Sequence, residues 1–282
     1  MKVLITGVGG QLGIDIFNEL NSRGIECVGT DTCDFDLTDE EQTAAFIKKL
    51  SPTAVVHCAA YTAVDNAQDE QETCMLVNAK GSENIAKACA QIDAKLLYIS
   101  TDYVFDGNGT EPFEIDSKTK PLNVYGLSKL GGEQAVIQYC KKSFVLRTSW
   151  VFGKNGKNFV KSIIRLASQN DKISVVNDQI GSPTYTKDLA VLICDMIKTS
   201  KYGVYHATNE GYCSFADFAI EIVKSCGYKT EVVSITSEEF CAKAQRPKNS
   251  RLSKKCLDDA GFSRLPVWQD SLSRYLIELN KY

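Results

Sequence analysis

Two residues four positions apart, Tyr125 and Lys129, have the types and the spacing to move a proton. On a helix, this spacing places the lysine ammonium beside the tyrosine phenol. A free phenol has a pKa of about 10 and therefore keeps its proton at pH 7. One ammonium about 4 Å away supplies roughly 4 kcal/mol at an effective dielectric of 20, enough to lower that pKa by about three units. The sequence therefore predicts that Lys129 lowers the pKa of Tyr125.

Thr101 adds a hydroxyl group that could act on the same substrate atom as Tyr125. A hydroxyl can donate a hydrogen bond to a carbonyl oxygen and hold that oxygen against the phenol. Together with Lys129, the two residues fit the reduction of a ketone, which requires a hydride and a proton. The alternative is that Tyr125 and Lys129 form an ordinary surface pair on a helix. The beginning of the chain favours the reductase interpretation.

The chain begins with an apolar strand that runs into a glycine-rich turn. Gly7, Gly10 and Gly13 are spaced three apart, whereas the usual dinucleotide-binding motif reads G-x-G-x-x-G. The physical roles are the same, because glycines allow unusual backbone angles and let a diphosphate approach the N-terminus of the next helix. The turn therefore predicts a nicotinamide dinucleotide, NADH or NADPH, as the hydride donor. An ordinary glycine-rich turn is the alternative.

Asp31 follows the second predicted strand, close to the spacing of about 20 residues at which an acid binds the adenosine ribose. A carboxylate there accepts hydrogen bonds from the ribose hydroxyls and repels a 2′-phosphate. We therefore expect NADH to be used at least as well as NADPH. Asp36 and Leu37 come shortly afterwards and could line the adenine. The alternative for Asp31 is a solvated turn aspartate.

Strands and helices alternate through the first half of the sequence. The predicted strands cover residues 2–6, 25–30, 54–57, 95–100 and 144–149, and the helical segments cover 11–22, 40–50, 70–91 and 124–141. This alternation predicts an α/β fold with a Rossmann-like, doubly wound parallel sheet. Such a sheet binds its ligands at the carboxyl ends of the strands, where we expect the residues discussed above to meet.

The pattern changes after Trp150. Helices are predicted over 159–168, 184–197 and 215–226, strands over 173–176 and 204–207, and a polar, basic loop over 246–252. We expect residues 1–150 to form a dinucleotide-binding Rossmann domain. Residues 151–282 are expected to form mainly a smaller C-terminal substrate-binding lobe, with segments near 186–208 returning to the first domain.

Composition and charge exclude several other classes of protein. The 282 residues are 44% hydrophobic and 24% charged, and a net charge of −3 gives no reason to expect binding to nucleic acid or a membrane surface. No apolar run approaches the roughly 18 residues of a membrane span, and the N-terminus lacks the pattern of a signal peptide. We therefore expect a cytoplasmic protein.

The eleven cysteines include no Cys-x-x-Cys pair, and we expect them to be reduced.

Seven motifs match, in order, those of a known family. They are Gly-Gln-Leu-Gly (10–13), Ala-Ala-Tyr-Thr-Ala-Val-Asp (59–65), Ser-Thr-Asp-Tyr-Val-Phe (100–105), Asn-Val-Tyr-Gly-Leu-Ser-Lys (123–129), Arg-Thr-Ser-Trp-Val-Phe (147–152), Asn-Asp-Gln-Ile-Gly-Ser-Pro-Thr (177–184) and Arg-Pro-Lys-Asn-Ser-Arg-Leu (246–252). The chain resembles the extended short-chain dehydrogenase/reductases over nearly its whole length. By the last three motifs, it resembles the branch that reduces the 4-keto group of a dTDP-sugar, dTDP-4-dehydro-L-rhamnose, with NADH or NADPH.

The resemblance also implies roles for individual residues. Tyr125 would donate the proton, and both Tyr125 and Lys129 would contact the cofactor. The other residues implied near the cofactor are Gly10, Gln11, Leu12, Asp31, Ala59, Ala60, Tyr61 and Asn78. The residues implied near the sugar or its nucleotide are Thr101, Asp102, Trp150, Gln179 and Arg246. Some family members bind magnesium at a dimer interface, so Mg²⁺ and a homodimer are further expectations, with Asp15 as one candidate position.

Two of these residues also have roles that follow from their own chemistry. A guanidinium forks onto phosphate oxygens, so Arg246 could hold the diphosphate of a sugar nucleotide. The alternative is that Arg246 is a solvated arginine in a surface loop with no ligand. Trp150 could stack on a base or sugar, or it could fill the core.

Alternatives within the same fold stay open. A 4,6-dehydratase needs an Asp-Glu pair after the threonine, whereas here Asp102 is followed by Tyr103. An epimerase or another nucleotide-sugar reductase would keep the same tyrosine and lysine, and an epimerase would hold its cofactor permanently. A non-catalytic regulatory subunit of this fold would not need the intact set of Thr101, Tyr125 and Lys129.

Overall fold

The computed structural model of the protein describes residues 1–279. The first half of the chain contains β1 (Lys2–Thr6), α1 (Gln11–Ser22), β2 (Glu26–Thr30), α2 (Glu40–Leu50), β3 (Ala54–His57), α3 (Gln71–Met75), α4 (Gly81–Gln91), β4 (Lys95–Thr101), α5 (Val124–Tyr139) and β5 (Ser143–Thr148). The second half contains β6 (Val151–Phe152), α6 (Phe159–Ala167), β7 (Lys172–Val176), β8 (Ile180–Gly181), β9 (Thr184–Tyr185), α7 (Thr186–Met196), β10 (Gly203–His206), β11 (Cys213–Ser214), α8 (Phe215–Ser225), β12 (Glu231–Ile235), α9 (Ser237–Phe240), α10 (Lys255–Asp259) and α11 (Trp268–Glu278). Short 3₁₀ turns cover Asn66–Gln68 and Asp102–Val104, and a π turn covers Leu76–Lys80.

The main sheet has six parallel strands in the order β10-β5-β4-β3-β1-β2. Alternate side chains of a strand point to opposite faces. In β1, Val3 and Ile5 pack with α1 and α7, whereas Leu4 packs with α2, α4 and α5 on the other face. Burial on both faces explains why these strands are continuously apolar in sequence. The predicted α/β fold with a doubly wound parallel sheet is confirmed.

The second half of the chain builds another apolar core from α6, α8 and α11. Three short strand pairs accompany it: β7 with β12 and β6 with β9 are parallel, and β8 with β11 is antiparallel. The chain also returns to the main sheet, because α7 packs against α1 and β10 pairs with β5. The division into two domains at residue 150 stays a prediction.

The structure differs from the predicted elements in three places. The segment predicted as one helix over 70–91 is divided into α3, the π turn and α4. The helix predicted over 184–197 begins at Thr186, because Thr184 and Tyr185 pair with β6 instead. The sequence did not predict the two-residue strands β6, β8, β9 and β11, the strand β12, or the last three helices.

Candidate active site

The glycine-rich turn lies between β1 and α1. Gly7 has a φ of +70°, and a Cβ at this position would lie 2.7 Å from the backbone nitrogen of Ala59. A Cβ on Gly13 would overlap the carbonyl oxygen of Gly7, so glycine is required at both positions for this close approach. Gly10 is the N-cap residue of α1 and has no side chain that could accept hydrogen bonds from the first amides of the helix. The first amides of α1 are therefore available to an anion such as a diphosphate.

Asp31 comes directly after β2 and contacts this turn. Its Oδ2 accepts a hydrogen bond from the Gly9 amide at 2.9 Å. Asp36 and Leu37 are engaged within their own loop, where Asp36 accepts bonds from the Thr38 amide at 2.8 Å and hydroxyl at 2.7 Å. The Leu37 side chain packs against the start of α4. Asp31 is thus beside the turn, and contacts of these three residues with ribose or adenine stay predictions.

Gln11 and Leu12, at the N-terminus of α1, use their side chains within the protein. Gln11 Oε1 accepts hydrogen bonds from the Gly153 amide at 3.0 Å and from Asn158 Nδ2 at 2.9 Å. Leu12 is buried in the core between the sheet, α1 and α7. Their backbone amides, together with Gln11 Nε2, are therefore donors that a cofactor phosphate can use.

The loop after β3 carries Ala59, Ala60 and Tyr61 past the glycine turn, and Asn78 fixes it there. The Tyr61 amide donates to Asn78 Oδ1 at 2.8 Å, and Asn78 Nδ2 donates to the Tyr61 carbonyl at 3.0 Å. Asn78 Nδ2 also donates to Ser128 Oγ on α5 at 2.9 Å. Asn78 lies in the π turn, a feature frequently found at functional sites. It links the loop to the helix that carries the expected reacting residues.

Thr101, Tyr125 and Lys129 lie together where β4 ends and α5 begins. Asn123 Oδ1 accepts a hydrogen bond from the Gly126 amide at 2.8 Å and so caps α5 immediately before Tyr125. The hydroxyl of Thr101 faces the Tyr125 phenol. Thr101 and Lys129 are both buried, with 6% and 3% of their surfaces exposed. Tyr125 is only partly buried. The three residues singled out by the sequence therefore lie together, with the tyrosine partly open to solvent.

The predicted effect of Lys129 on Tyr125 is wrong for this arrangement. Burial and the nearby Asp102 carboxylate raise the pKa of Tyr125, and the Thr101 hydroxyl offsets this only in part. The Lys129 ammonium lies over the ring of Tyr98, with 4.2 Å between Nζ and the ring centroid. Burial lowers the pKa of Lys129 to about 7, so much of its own charge is lost at neutral pH. The phenol of Tyr125 therefore keeps its proton, as a proton donor must.

Asp102 and Tyr103 begin the 3₁₀ turn that follows β4. Asp102 is 2% exposed, and burial raises its pKa to about 6. Its Oδ1 accepts a hydrogen bond from Thr101 Oγ1 at 3.1 Å. The Tyr103 ring packs edge-on against Tyr125, with 5.6 Å between the ring centroids. A phenol therefore occupies the position where a dehydratase of this fold carries its glutamate.

Trp150 comes two residues after β5, with a φ of +50° that non-glycine residues seldom adopt. Its indole stacks on Phe215 of α8 with 3.7 Å between ring centroids and 15° between planes. It is also close to Gly181, where a Cβ would lie 2.8 Å from the indole. One face of the indole is thus used for packing in the second core, and its contact with a sugar stays a prediction.

A cavity of 630 Å³ is bordered by residues 106–109 and by the segment 237–248. Gln179 and Arg246 both line it, so the structure brings together two residues that the sequence suggested for the substrate. Gln179 Nε2 donates to Ser237 Oγ at 2.9 Å, which anchors the amide at the cavity wall. Lys243 and Lys248 also line the cavity, where they pair with Asp69 and Asp178, and Asp106 and Glu238 line it as well.

Asp65, which the sequence analysis did not assign to the site, holds Arg246. Arg246 Nη1 donates to Asp65 Oδ1 at 3.0 Å, and Nη2 donates to Oδ2 at 2.7 Å. Asp65 Oδ1 also accepts from the Ala244 amide at 2.9 Å, and the Arg246 guanidinium lowers the pKa of Asp65. The motif over 59–65 ends at this residue, yet nothing in the sequence indicates a partner so far along the chain.

Asp15, the candidate magnesium position, is engaged within the chain. Its carboxylate accepts a hydrogen bond from Thr186 Oγ1 at 2.5 Å, and the nearby Glu278 pairs with Lys187 at 2.8 Å. Within residues 1–279, no group of three or more His, Cys, Asp or Glu side chains could hold a metal ion. The expected Mg²⁺ therefore gains no support.

Two further sequence expectations concern cysteines and membranes. Six of the cysteines are buried as free thiols; they are Cys74, Cys89, Cys140, Cys194, Cys213 and Cys256. In the part of the chain that the structure describes, none of the helices is long and apolar enough to cross a membrane.

Comparisons with known proteins point to one family. The family model described as the RmlD substrate binding domain matches residues 1–281. The spore coat polysaccharide biosynthesis protein SpsK of Bacillus subtilis is 39% identical over 277 residues, which cover 98% of this chain and 97% of that protein. The dTDP-4-dehydrorhamnose reductase of Mycolicibacterium smegmatis is 38% identical over 275 residues, covering 96% of this chain and 84% of that protein.

A solved structure agrees with these relatives. The crystal structure of dTDP-4-dehydrorhamnose reductase from Bacillus anthracis, in complex with NADP, superimposes with a TM-score of 0.96 at 44% sequence identity. The alignment covers 98% of this chain and 99% of that one.

Proposed function

Because this chain belongs to the RmlD family, which includes the dTDP-4-dehydrorhamnose reductases, we propose that it reduces the 4-keto group of dTDP-4-dehydro-L-rhamnose to give dTDP-L-rhamnose. The observation that carries the proposal is the cluster of Thr101, Tyr125 and Lys129, formed by the end of β4 and the first turns of α5. A bound NADH or NADPH supplies the hydride for this reaction. The same chain offers a glycine turn at β1 for its diphosphate.

Tyr125 gives its proton to the carbonyl oxygen as the carbonyl carbon accepts the hydride. The raised pKa of Tyr125 keeps the phenol protonated until the oxygen gains negative charge. Lys129 is assigned to the cofactor, where its ammonium form would donate hydrogen bonds to the hydroxyls of the nicotinamide ribose. Thr101, whose hydroxyl turns from Asp102 towards the substrate, donates a hydrogen bond that holds the oxygen against the phenol. Solvent then returns the proton to Tyr125.

Arg246 is assigned to the diphosphate of the sugar nucleotide. Asp65 accepts hydrogen bonds from Nη1 and Nη2, and because this carboxylate is 44% exposed, a diphosphate can bind the guanidinium in exchange for part of that pairing. Gln179 lines the same cavity, and Asp102 lies beside Thr101 where a sugar hydroxyl can bind. Trp150 is assigned to the border of the sugar site.

Asp31 is assigned to the adenosine ribose. Its contact with the Gly9 amide supports this role, because the carboxylate lies beside the turn assigned to the diphosphate. A carboxylate at the ribose disfavours a 2′-phosphate, so NADH is expected to be used at least as well as NADPH.

An assay with the purified protein tests the proposed function. The protein is incubated with dTDP-4-dehydro-L-rhamnose and NADH or NADPH, the loss of reduced nicotinamide is followed by absorbance, and the sugar product is identified. We expect one dTDP-L-rhamnose for each nicotinamide oxidised. Interconversion of nucleotide sugars without net oxidation would indicate an epimerase, and a folded protein without turnover would indicate a regulatory subunit; either result overturns the proposal.

A further inference from the structure

A buried ion pair lies next to the reacting cluster and has no role in the steps described above. Glu133 on α5 accepts hydrogen bonds from Arg147 on β5, at 2.9 Å from Nε and 2.7 Å from Nη2. The two side chains are only 2% and 6% exposed. Ser100, the residue before Thr101, donates to the same carboxylate at 2.5 Å. Burying two charges costs about as much as their attraction returns, so stability alone is a weak reason for this pair.

Glu133 lies one helical turn after Lys129, on the same face of α5. Lys129 is 3% exposed and has the Tyr98 ring on one side. Burial makes its ammonium form costly and lowers its pKa to about 7, whereas the Glu133 carboxylate acts in the opposite direction. Glu133 therefore offsets part of the cost of keeping a buried lysine charged.

Four other titratable groups face Lys129 from the elements packed against α5; they are His57, Cys58, Cys74 and Tyr98. Burial keeps each of them neutral at pH 7. The pKa of His57 is lowered to about 3, and that of Cys58 is raised to about 12. Burial also raises the pKa of Cys74 and of Tyr98. Because these four groups are neutral, the negative charge that acts on Lys129 comes from Glu133.

We propose that Glu133, fixed by Arg147 and Ser100, is a positioning residue that keeps Lys129 in its ammonium form for the reduction. The inference rests on the proposed function, in which the Lys129 ammonium holds the nicotinamide ribose of the cofactor. Arg147 has two opposite effects: it orients the carboxylate, and it weakens the field of that carboxylate at Lys129. The two partners of the ion pair therefore act on Lys129 with opposite signs.

The test is the pH dependence of kcat/KM for the sugar nucleotide in two single variants. Activity falls at high pH as Lys129 loses its proton, which defines the basic limb of the profile. Glu133→Gln removes the negative charge and leaves the Arg147 cation, so the basic limb should move to lower pH by about one unit or more. Arg147→Gln leaves the Glu133 carboxylate unshared, so the limb should move to higher pH.

Two further variants separate charge from folding. Glu133→Asp keeps the charge, and its basic limb should stay near that of the wild type even if its melting temperature falls. Asp188→Asn breaks another partly buried pair, with Arg274 at 2.8 and 2.9 Å, in a different part of the fold. This control should lose thermal stability without a shift of the limb. If one single variant does not fold, the other still gives a result with a defined sign.

The dependence of NADH affinity on pH gives the same information without the sugar, because Lys129 is also assigned to the cofactor. Opposite shifts in Glu133→Gln and Arg147→Gln support the proposal in either measurement. Unshifted limbs, or shifts in the same direction, overturn it. A wild type that binds NADH but does not reduce the sugar would overturn the proposed function instead, so the two failures are distinguishable.

Discussion

The cofactor side and the substrate side of the candidate site are built in different ways. On the cofactor side, Lys129 is 3% exposed, and it lies on a helix that the main core holds in place. On the substrate side, Arg246 lies on a loop held by Asp65, whose side chain is 44% exposed. Surface ion pairs contribute little stability. The reacting groups are therefore fixed before substrate binds, whereas the groups assigned to the sugar nucleotide can adjust to it.

The largest expected effect is on turnover, and it comes from replacing the proton donor. Tyr125→Phe removes the proton donor and should lower kcat by about 10²-fold or more, since general acid catalysis contributes that much. NADH affinity should change much less, because the hydroxyl is only a small part of the cofactor site. Steady-state kinetics and NADH titration check both statements.

Tyr139→Phe is the matched control, because it removes a phenol hydroxyl from the exposed end of the same helix. It should leave both values near those of the wild type. Near-normal turnover of Tyr125→Phe would remove this tyrosine from the mechanism.

On the substrate side, we expect an intermediate effect on the affinity for the sugar nucleotide. Arg246→Ala removes a charge-assisted phosphate contact, which costs about 1.5–3 kcal/mol, or roughly 10- to 100-fold in affinity. The KM for the sugar nucleotide should rise by this factor, while NADH affinity stays nearly unchanged.

Arg264→Ala provides the comparison, because Arg264 also forms a forked pair with an aspartate, Asp258, but does not line the cavity. It should leave KM unchanged. If titration shows that Arg246→Ala binds the sugar nucleotide as tightly as the wild type, the substrate side has been assigned to the wrong residues.

The smallest expected effect concerns the choice of cofactor. Asp31→Ala removes the carboxylate that repels a 2′-phosphate, so the ratio of kcat/KM for NADPH to that for NADH should rise about tenfold, or about 1.4 kcal/mol. Asp171→Ala, at an exposed position outside the site, should leave the ratio unchanged. A wild-type enzyme that works only with NADPH would show that the Asp31 assignment is wrong.

The sequence predicts some features of this site well and others poorly. The strands of the main sheet and the grouping of Thr101, Tyr125 and Lys129 follow from local patterns, because period and spacing decide which face a residue occupies. The pKa of Tyr125 was predicted in the wrong direction, because it depends on burial and on where the Lys129 ammonium lies over Tyr98. Neither the burial of Tyr125 nor the position of the Lys129 ammonium can be predicted from the spacing of residues in the sequence.

Contacts between distant segments account for the other misses. Asp65 meets Arg246 across most of the chain, and β12 is a strand only because it pairs with β7. The π turn around Asn78 likewise depends on partners in the β3 loop and on α5. In each case, the deciding interaction lies outside the local sequence.

The central claim is that this chain transfers a hydride to the keto carbon of a dTDP-sugar with Tyr125 as the proton donor. A single-turnover reaction with NADH deuterated at the transferred position tests it most directly. The account predicts one deuterium at C4 of dTDP-L-rhamnose for each NADH consumed, formed about 10²-fold or more slowly by Tyr125→Phe. A product without deuterium at C4, or equal rates for the wild type and Tyr125→Phe, would contradict it.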